Sequence, residues 1–108
     1  MTALDPRTPV IVGVGQINER EHGAEPIDLM ARSADCALSD AGSGDLRRRI
    51  DAVRVVWGVW PYRDPGRLIA DRLGAANART TMTPTGGNQV YDLVIDTALR
   101  IQRGELDI

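Results

Sequence analysis

The order of apolar patterns along the chain limits the fold more than any other feature. The nearly continuous apolar run Val10–Ile17 is typical of a strand that is buried on both faces. Strand-like runs follow at Val53–Trp60 and Arg79–Thr83, and each is followed by a segment with helical spacing of apolar residues. Parallel strands need crossover connections, which helices provide. We therefore expect an α/β fold with a parallel sheet, alternating strands and helices, and right-handed crossovers.

Capping residues set the expected ends of the helices. Pro26 suits the first turn of a helix, which should end at Ala41 before Gly42. Asp64 can cap a second helix whose first residue is Pro65 and which Gly74 closes. A third helix should run over 88–103 and stop before Gly104.

The third helix has apolar residues around most of its circumference: Val90, Leu93, Val94, Ile95, Ala98, Leu99 and Ile101. Its polar residues fall in one narrow arc, where Asp96 and Arg100 have salt-bridge spacing. A helix that covers one face of a sheet needs only an apolar stripe, so this helix is expected to lie between two layers. Without a second layer, the missing burial is on the order of 10 kcal/mol. That is comparable to the stability of a whole domain, about 5–15 kcal/mol.

Composition excludes several classes of function. The 108 residues carry 13 basic and 15 acidic side chains, and no basic stripe indicates nucleic-acid binding. No apolar run is long enough for a membrane span, and the N-terminus has no signal layout, so we expect a cytoplasmic protein. His22 and Cys36 are the only histidine and cysteine, which predicts no metal site. Lysine is absent, which excludes Schiff-base and P-loop lysine chemistry.

The glycine-rich turn Thr85, Gly86, Gly87, Asn88 is the first candidate site. It follows the third predicted strand and leads into the third helix. Free amides at a helix N-terminus favour an anion or a thiolate, and glycines let a ligand approach the backbone closely. The alternative is a tight turn that only joins two elements.

Trp60 and Tyr62, with Trp57 nearby, form a second candidate, because ligands bind at the carboxyl ends of parallel strands. They could line an acyl pocket, or they could serve core or subunit packing. Gly13 and Gly15 match a dinucleotide fingerprint only weakly, since Asn18 stands where its third glycine belongs. We interpret His22 as a solvated loop residue and Cys36 as a small, partly covered helix residue rather than a nucleophile.

The ordered set of segments VIVGVGQ, DAVRVVWGV, DPGRLIADRLGA, TPTGGNQ and IQRGELD resembles the N-terminal part of thiolases. The branch that it resembles is the acetyl-CoA acetyltransferase-like proteins near the sterol-carrier type. The resemblance covers nearly all of the chain, which would be about a quarter of a family member. It implies an incomplete N-terminal half of a thiolase-like fold over residues 1–108, without the fourth strand onward and the whole C-terminal half. It also implies acyl-CoA as a ligand, with no further cofactor.

The resemblance implies that a nucleophilic cysteine belongs at the start of the third helix. Aligning Ile101–Gly104 with the end of the family's helix places Gly87 at that position. Glycine has no nucleophile, and the family's bases would lie in the C-terminal half. We therefore expect no thiolase catalysis by this chain alone. Two alternatives stay open, namely a non-catalytic subunit or acyl-CoA binding module completed by a partner chain or a second copy, and an unrelated small α/β anion-binding domain.

Overall fold

The computed structural model describes residues 3–21 and 23–108, which contain three α-helices and a two-stranded sheet. The elements in chain order are α1 (Pro26–Ala41), a 3₁₀ turn (Leu46–Arg49), β1 (Ala52–Val55), α2 (Pro65–Leu73), β2 (Arg79–Met82) and α3 (Gln89–Gln102). None of these helices is both long and apolar enough to cross a bilayer.

The two strands are parallel, as the alternating pattern predicted. β1 pairs with β2 so that Val53 lies opposite Thr80, and α2 provides the crossover between them. The strand predicted over Val53–Trp60 is shorter than expected, because the chain leaves the sheet after Val55. The predicted α/β class with alternating strands and helices is confirmed.

The prediction of a strand over Val10–Ile17 is wrong for this structure. This segment has no strand, and within the described residues it makes no backbone–backbone hydrogen bond to another element. Four of its apolar side chains are exposed: Val10, Ile11, Val12 and Val14. Apolar periodicity predicts a strand only if a neighbouring strand accepts its hydrogen bonds, and here no described strand does so.

Glycines hold this same segment against α1. A Cβ atom built on Gly13 would overlap the carbonyl oxygen of Ala37, and one on Gly15 would overlap that of Ser33. The Val14 N–H also donates a hydrogen bond to the Asp40 carboxylate, at 2.9 Å. The backbone can lie this close to the helix only because glycine has no side chain.

The predicted helix ends are confirmed. The Asp64 side chain accepts a hydrogen bond from the Arg67 N–H at 3.1 Å, and Pro65 begins α2. Gly42 and Gly74 follow α1 and α2 with φ of 75° and 78°, the left-handed conformation that glycine adopts most easily. These local signals mark where α1 and α2 begin and end.

The core lies where α1 and α2 meet the sheet. Ile27 from α1 packs with Ile69 and Leu73 from α2, and all three are buried. A second buried group joins Ala70 to the alanines that follow α2: Ala75 and Ala78. The core is therefore centred on α2, and α3 contributes no buried residue.

The C-terminal residues lie beside the start of β1. The Ile108 carbonyl accepts hydrogen bonds from the N–H groups of Asp51 and Ala52, at 2.7 and 3.2 Å. In return, the Asp51 carboxylate accepts from the N–H groups of Asp107 and Ile108, at 2.7 and 3.1 Å. These contacts hold the end of the chain next to the sheet and bury Leu106.

Candidate functional site

The glycine-rich turn connects β2 to α3, as its place in the sequence indicated. The Thr83 N–H still bonds to the Val55 carbonyl at 2.9 Å, and the Gln89 N–H then closes the turn on the Gly86 carbonyl at 3.1 Å. Gly86 has φ of 144°, and a Cβ there would lie only 2.8 Å from the Asn88 side-chain oxygen. Position 86 therefore requires glycine for conformational reasons.

Gly87 differs from its neighbour because the fold does not require glycine there. Its φ lies outside the left-handed region, and a Cβ at this position would have no atom within 4 Å among its described surroundings. The residue is also exposed. A side chain at position 87 would stand in open space at the start of α3.

The first turn of α3 lacks a side-chain cap. Asn88 occupies the N-cap position in a helical conformation, with φ of −75° and ψ of −12°, and its side chain makes no capping hydrogen bond. The first amides of a helix carry a partial positive charge and need acceptors. The turn can therefore offer N–H donors to an anion, although it contains no Cys, Ser, Lys or His.

The aromatic residues after β1 form a continuous group. The ring centroids of Trp57 and Trp60 are 6.3 Å apart, and those of Trp60 and Tyr62 are 5.7 Å apart. The Tyr62 hydroxyl donates to the Glu25 carboxylate at 2.7 Å and accepts from the Ile27 N–H at 3.3 Å. The hydrogen bond to Glu25 raises the pKa of Tyr62, and partial burial adds to the effect. Tyr62 thus ties the start of α1 to the segment after β1.

Sequence reasoning proposed Trp60 and Tyr62 as pocket residues and did not foresee the contact with α1. Tyr62 and Glu25 are 37 positions apart, and no local pattern connects them. Cys36 is exposed rather than partly covered, because it lies on the side of α1 away from the core. His22 lies outside the described residues.

The predicted ion pair of α3 is confirmed, and a strand residue extends it. Arg100 Nε lies 2.9 Å from the Asp96 carboxylate, and Arg54 from β1 lies 2.6 Å from the same oxygen. Arg54 also donates to the Thr97 hydroxyl at 2.5 Å. These two guanidinium groups, Arg54 foremost, lower the pKa of Asp96. Sequence reasoning missed Arg54, which holds α3 to the sheet.

An apolar groove of about 440 Å³ separates α3 from residues 9–11 and β1. Leu93, Val94, Ala98 and Ile101 form its helix wall, and Arg54 and Thr97 are its polar members. Five large apolar residues of α3 are exposed: Val90, Tyr91, Val94, Ile95 and Leu99. We call the surface formed by Tyr91, Val94, Ile95 and Leu99 the open face. The expectation that α3 lies between two layers is therefore not met here, since only the side toward β1 is attached.

Comparisons with known proteins support a thiolase-like fold. No protein-family model and no curated protein matches the sequence. Among solved structures, the chain is similar to a monomeric SCP2-thiolase-like protein type 1 from Mycobacterium smegmatis, with 35% sequence identity and a TM-score of 0.85. The match covers 96% of this chain and 23% of that chain. The chain thus shares the SCP2-thiolase-like fold, and it spans about a quarter of the length of the protein that it matches.

Proposed function

We propose that this chain is the N-terminal part of an SCP2-thiolase-like protein, that it binds acyl-CoA, and that it has no thiolase activity of its own. The similarity over 96% of the chain carries the proposal. The chain spans 23% of that relative, which is consistent with one part of a larger protein. We also place it in the cytoplasm, where an exposed Cys36 stays reduced.

The lack of catalysis rests on Gly87. The family resemblance implies a cysteine there, where a helix N-terminus would stabilise its thiolate. Residues 83–88 contain no cysteine, and the single cysteine of the sequence is in α1 instead. The backbone at position 87 has room for a side chain, so the fold does not require glycine there. In this proposal, glycine at position 87 means that the reactive group of the family is missing.

Acyl-CoA binding rests on the turn and on its neighbours. The uncapped amides at the start of α3 favour the phosphates or the thioester oxygen of such a ligand. Trp60 and Tyr62 provide aromatic surface after the neighbouring strand. The ligand-facing residues of the proposal are therefore Thr85, Gly86, Gly87 and Asn88, with Trp60 and Tyr62 beside them.

Isothermal titration with acetyl-CoA tests this proposal directly. A negative charge at the turn should repel the ligand, so Gly87→Asp should weaken binding at least tenfold. Gly44→Asp is the matched control, since Gly44 is also exposed, lies outside the left-handed region and has open space around its Cβ position. The proposal fails if the unmodified chain does not bind acetyl-CoA, or if the two variants bind equally well. Binding of inorganic phosphate but not of acetyl-CoA would favour the anion-binding domain instead.

The open face of α3 supports a second candidate, a non-catalytic subunit that a partner chain completes. Such a partner would cover Ile95 and Leu99, which are exposed here. Adding a separately expressed chain with the remaining part of an SCP2-thiolase-like protein should then slow amide hydrogen exchange in α3. Unchanged exchange in α3, in a mixture that still contains folded protein, would exclude this candidate.

A further inference from the structure

We propose that the Thr83 hydroxyl positions the aromatic residues after β1 relative to the glycine-rich turn, so that the two candidate sites form one ligand site. The sequence pointed to the two sites separately, and Thr83 belongs to neither of them. This role rests on the proposed acyl-CoA binding, which uses both parts. The contacts that carry it lie within two neighbouring loops and do not depend on what covers α3.

The two loops leave the sheet side by side. β1 and β2 are parallel, and Val55 and Met82 are their last paired residues. One further bond of the ladder follows, from the Thr83 N–H to the Val55 carbonyl at 2.9 Å. In a regular parallel ladder, the next bond would run from the Trp57 N–H to the backbone carbonyl of Thr83.

The side chain of Thr83 takes the place of that backbone carbonyl. The Trp57 N–H donates to the Thr83 hydroxyl at 3.2 Å, and the hydroxyl donates to the Pro84 carbonyl at 3.0 Å. A threonine hydroxyl can make both bonds, because it has one donor and two acceptor positions. Thr83 therefore joins the two loops at the point where the sheet ends.

The hydroxyl contacts both parts of the proposed site. Thr83 lies two positions before Thr85, the first residue of the turn. Trp57 lies next to Trp60, with ring centroids 6.3 Å apart, and Trp60 lies 5.7 Å from Tyr62. A continuous series of contacts thus runs from the turn through Thr83 to the aromatic rings.

A ligand that contacts both parts benefits from a fixed separation between them. Acyl-CoA carries phosphates, which the uncapped amides at the start of α3 favour. It also carries an adenine ring and an acyl chain, which can pack on aromatic side chains. Loops that must first be ordered cost binding affinity. The Thr83 hydroxyl should therefore strengthen acyl-CoA binding without contacting the ligand.

Three variants test this role by isothermal titration with acetyl-CoA. Thr83→Val removes the hydroxyl but keeps the branched side chain, and it should weaken binding about 3- to 10-fold, as expected for the loss of ordinary hydrogen bonds. Thr83→Ser keeps the hydroxyl and should bind acetyl-CoA as the unmodified chain does. Thr80→Val is the matched control and should leave binding unchanged. Thr80 is also half-buried, and its hydroxyl donates to the Asp64 carboxylate at 2.9 Å, away from the turn.

Amide hydrogen exchange of the protein alone measures the link between the loops without a ligand. In Thr83→Val the Trp57 amide loses its acceptor and should exchange about 3- to 10-fold faster. The amides of Val53 and Val55, which lie within β1, should keep their rates. A general loss of stability would instead accelerate all three. Circular dichroism confirms that each variant is folded.

The two measurements separate this role from the proposed function. If the unmodified chain does not bind acetyl-CoA, acyl-CoA binding fails, and the exchange of the Trp57 amide alone decides whether Thr83 joins the two loops. If the chain binds acetyl-CoA and Thr83→Val binds it equally well, only the role of Thr83 is overturned. The role is also overturned if Thr83→Ser or Thr80→Val binds as weakly as Thr83→Val, or if the Trp57 amide exchanges at an unchanged rate in Thr83→Val.

Discussion

α2 and α3 are both amphipathic helices next to the same small sheet, yet their residues are used in opposite ways. α2 buries Pro65, Gly66, Ile69, Ala70 and Leu73, although it has only nine residues. α3 has fourteen residues and buries none. The short helix is held by the core, whereas the long one is held by polar contacts from Arg54. The number of apolar residues in a helix therefore does not show whether the helix stabilises the fold. Their burial depends on whether another element of the protein packs against them.

The largest expected effect on stability comes from a comparison of two isoleucines. Ile69 in α2 is 5% exposed and Ile95 in α3 is 57% exposed. Ile69→Ala should lower the free energy of unfolding by about 2–5 kcal/mol, since it opens a cavity in the core. Ile95→Ala should change it by less than about 0.5 kcal/mol. Urea denaturation followed by circular dichroism, at a concentration where the chain is monomeric, measures both. Equal losses would mean that α3 is buried in solution.

A smaller effect concerns the attachment of α3. Arg54→Met removes the hydrogen bonds to Thr97 and Asp96 and should lower the midpoint of thermal unfolding by roughly 4–8 °C. Arg100→Met removes only a contact within the helix and should have little effect. If the two variants melt alike, Arg54 does not hold α3 to the sheet.

The ion pair between Arg54 and Asp96 predicts that the stability of the protein falls at low pH. The pKa of Asp96 is lowered in the folded chain, mainly by Arg54 and then by Arg100. Its contribution to stability is therefore complete above the ordinary value of 3.8 and is lost as the pH falls through the lower folded pKa. Arg54→Met should reduce this loss. A carboxyl titration by NMR would contradict the assignment if Asp96 titrated at its ordinary pKa in the unmodified chain.

The smallest expected effect on stability comes from a comparison of the two tyrosines. Tyr62→Phe removes the hydrogen bonds that tie Glu25 and the start of α1 to the core, and we expect a fall of roughly 5 °C or less in the unfolding midpoint. Tyr91→Phe changes an exposed residue and should have no effect. Because the pKa of Tyr62 is raised, its contribution is present below pH 10.0 and is lost as the pH rises through the folded pKa. A spectrophotometric titration of the Tyr91→Phe variant, in which Tyr62 is the remaining tyrosine, would contradict this if Tyr62 ionised at its ordinary pKa.

The sequence predicted those features that depend on neighbouring residues. Pro26, Asp64, Pro65 and Gly74 mark helix ends because capping uses groups within a few positions, and the structure confirms them. The parallel α/β class followed from the alternation of patterns, and the similar solved structure supports the thiolase-like fold.

Features that depend on distant residues were not predicted. The strand over Val10–Ile17 is absent because a strand exists only with a hydrogen-bonded partner, which periodicity does not reveal. The contacts of Tyr62 with Glu25 and of Arg54 with Asp96 connect residues 37 and 42 positions apart. In the candidate site, the turn lies where it was expected, and the role of Gly87 stays a prediction.

The docking of Gly13 and Gly15 on α1 has a consequence for how this chain tolerates mutation. Both positions face a helix carbonyl with no room for a methyl group, while Val12 and Val14 beside them are exposed. In a library of single substitutions selected for folded protein, tolerance along this segment should alternate with a period of two. This alternation is the pattern normally expected of a β-strand. Here it would arise because every second residue of the segment contacts the backbone of α1, and not because the segment belongs to a sheet.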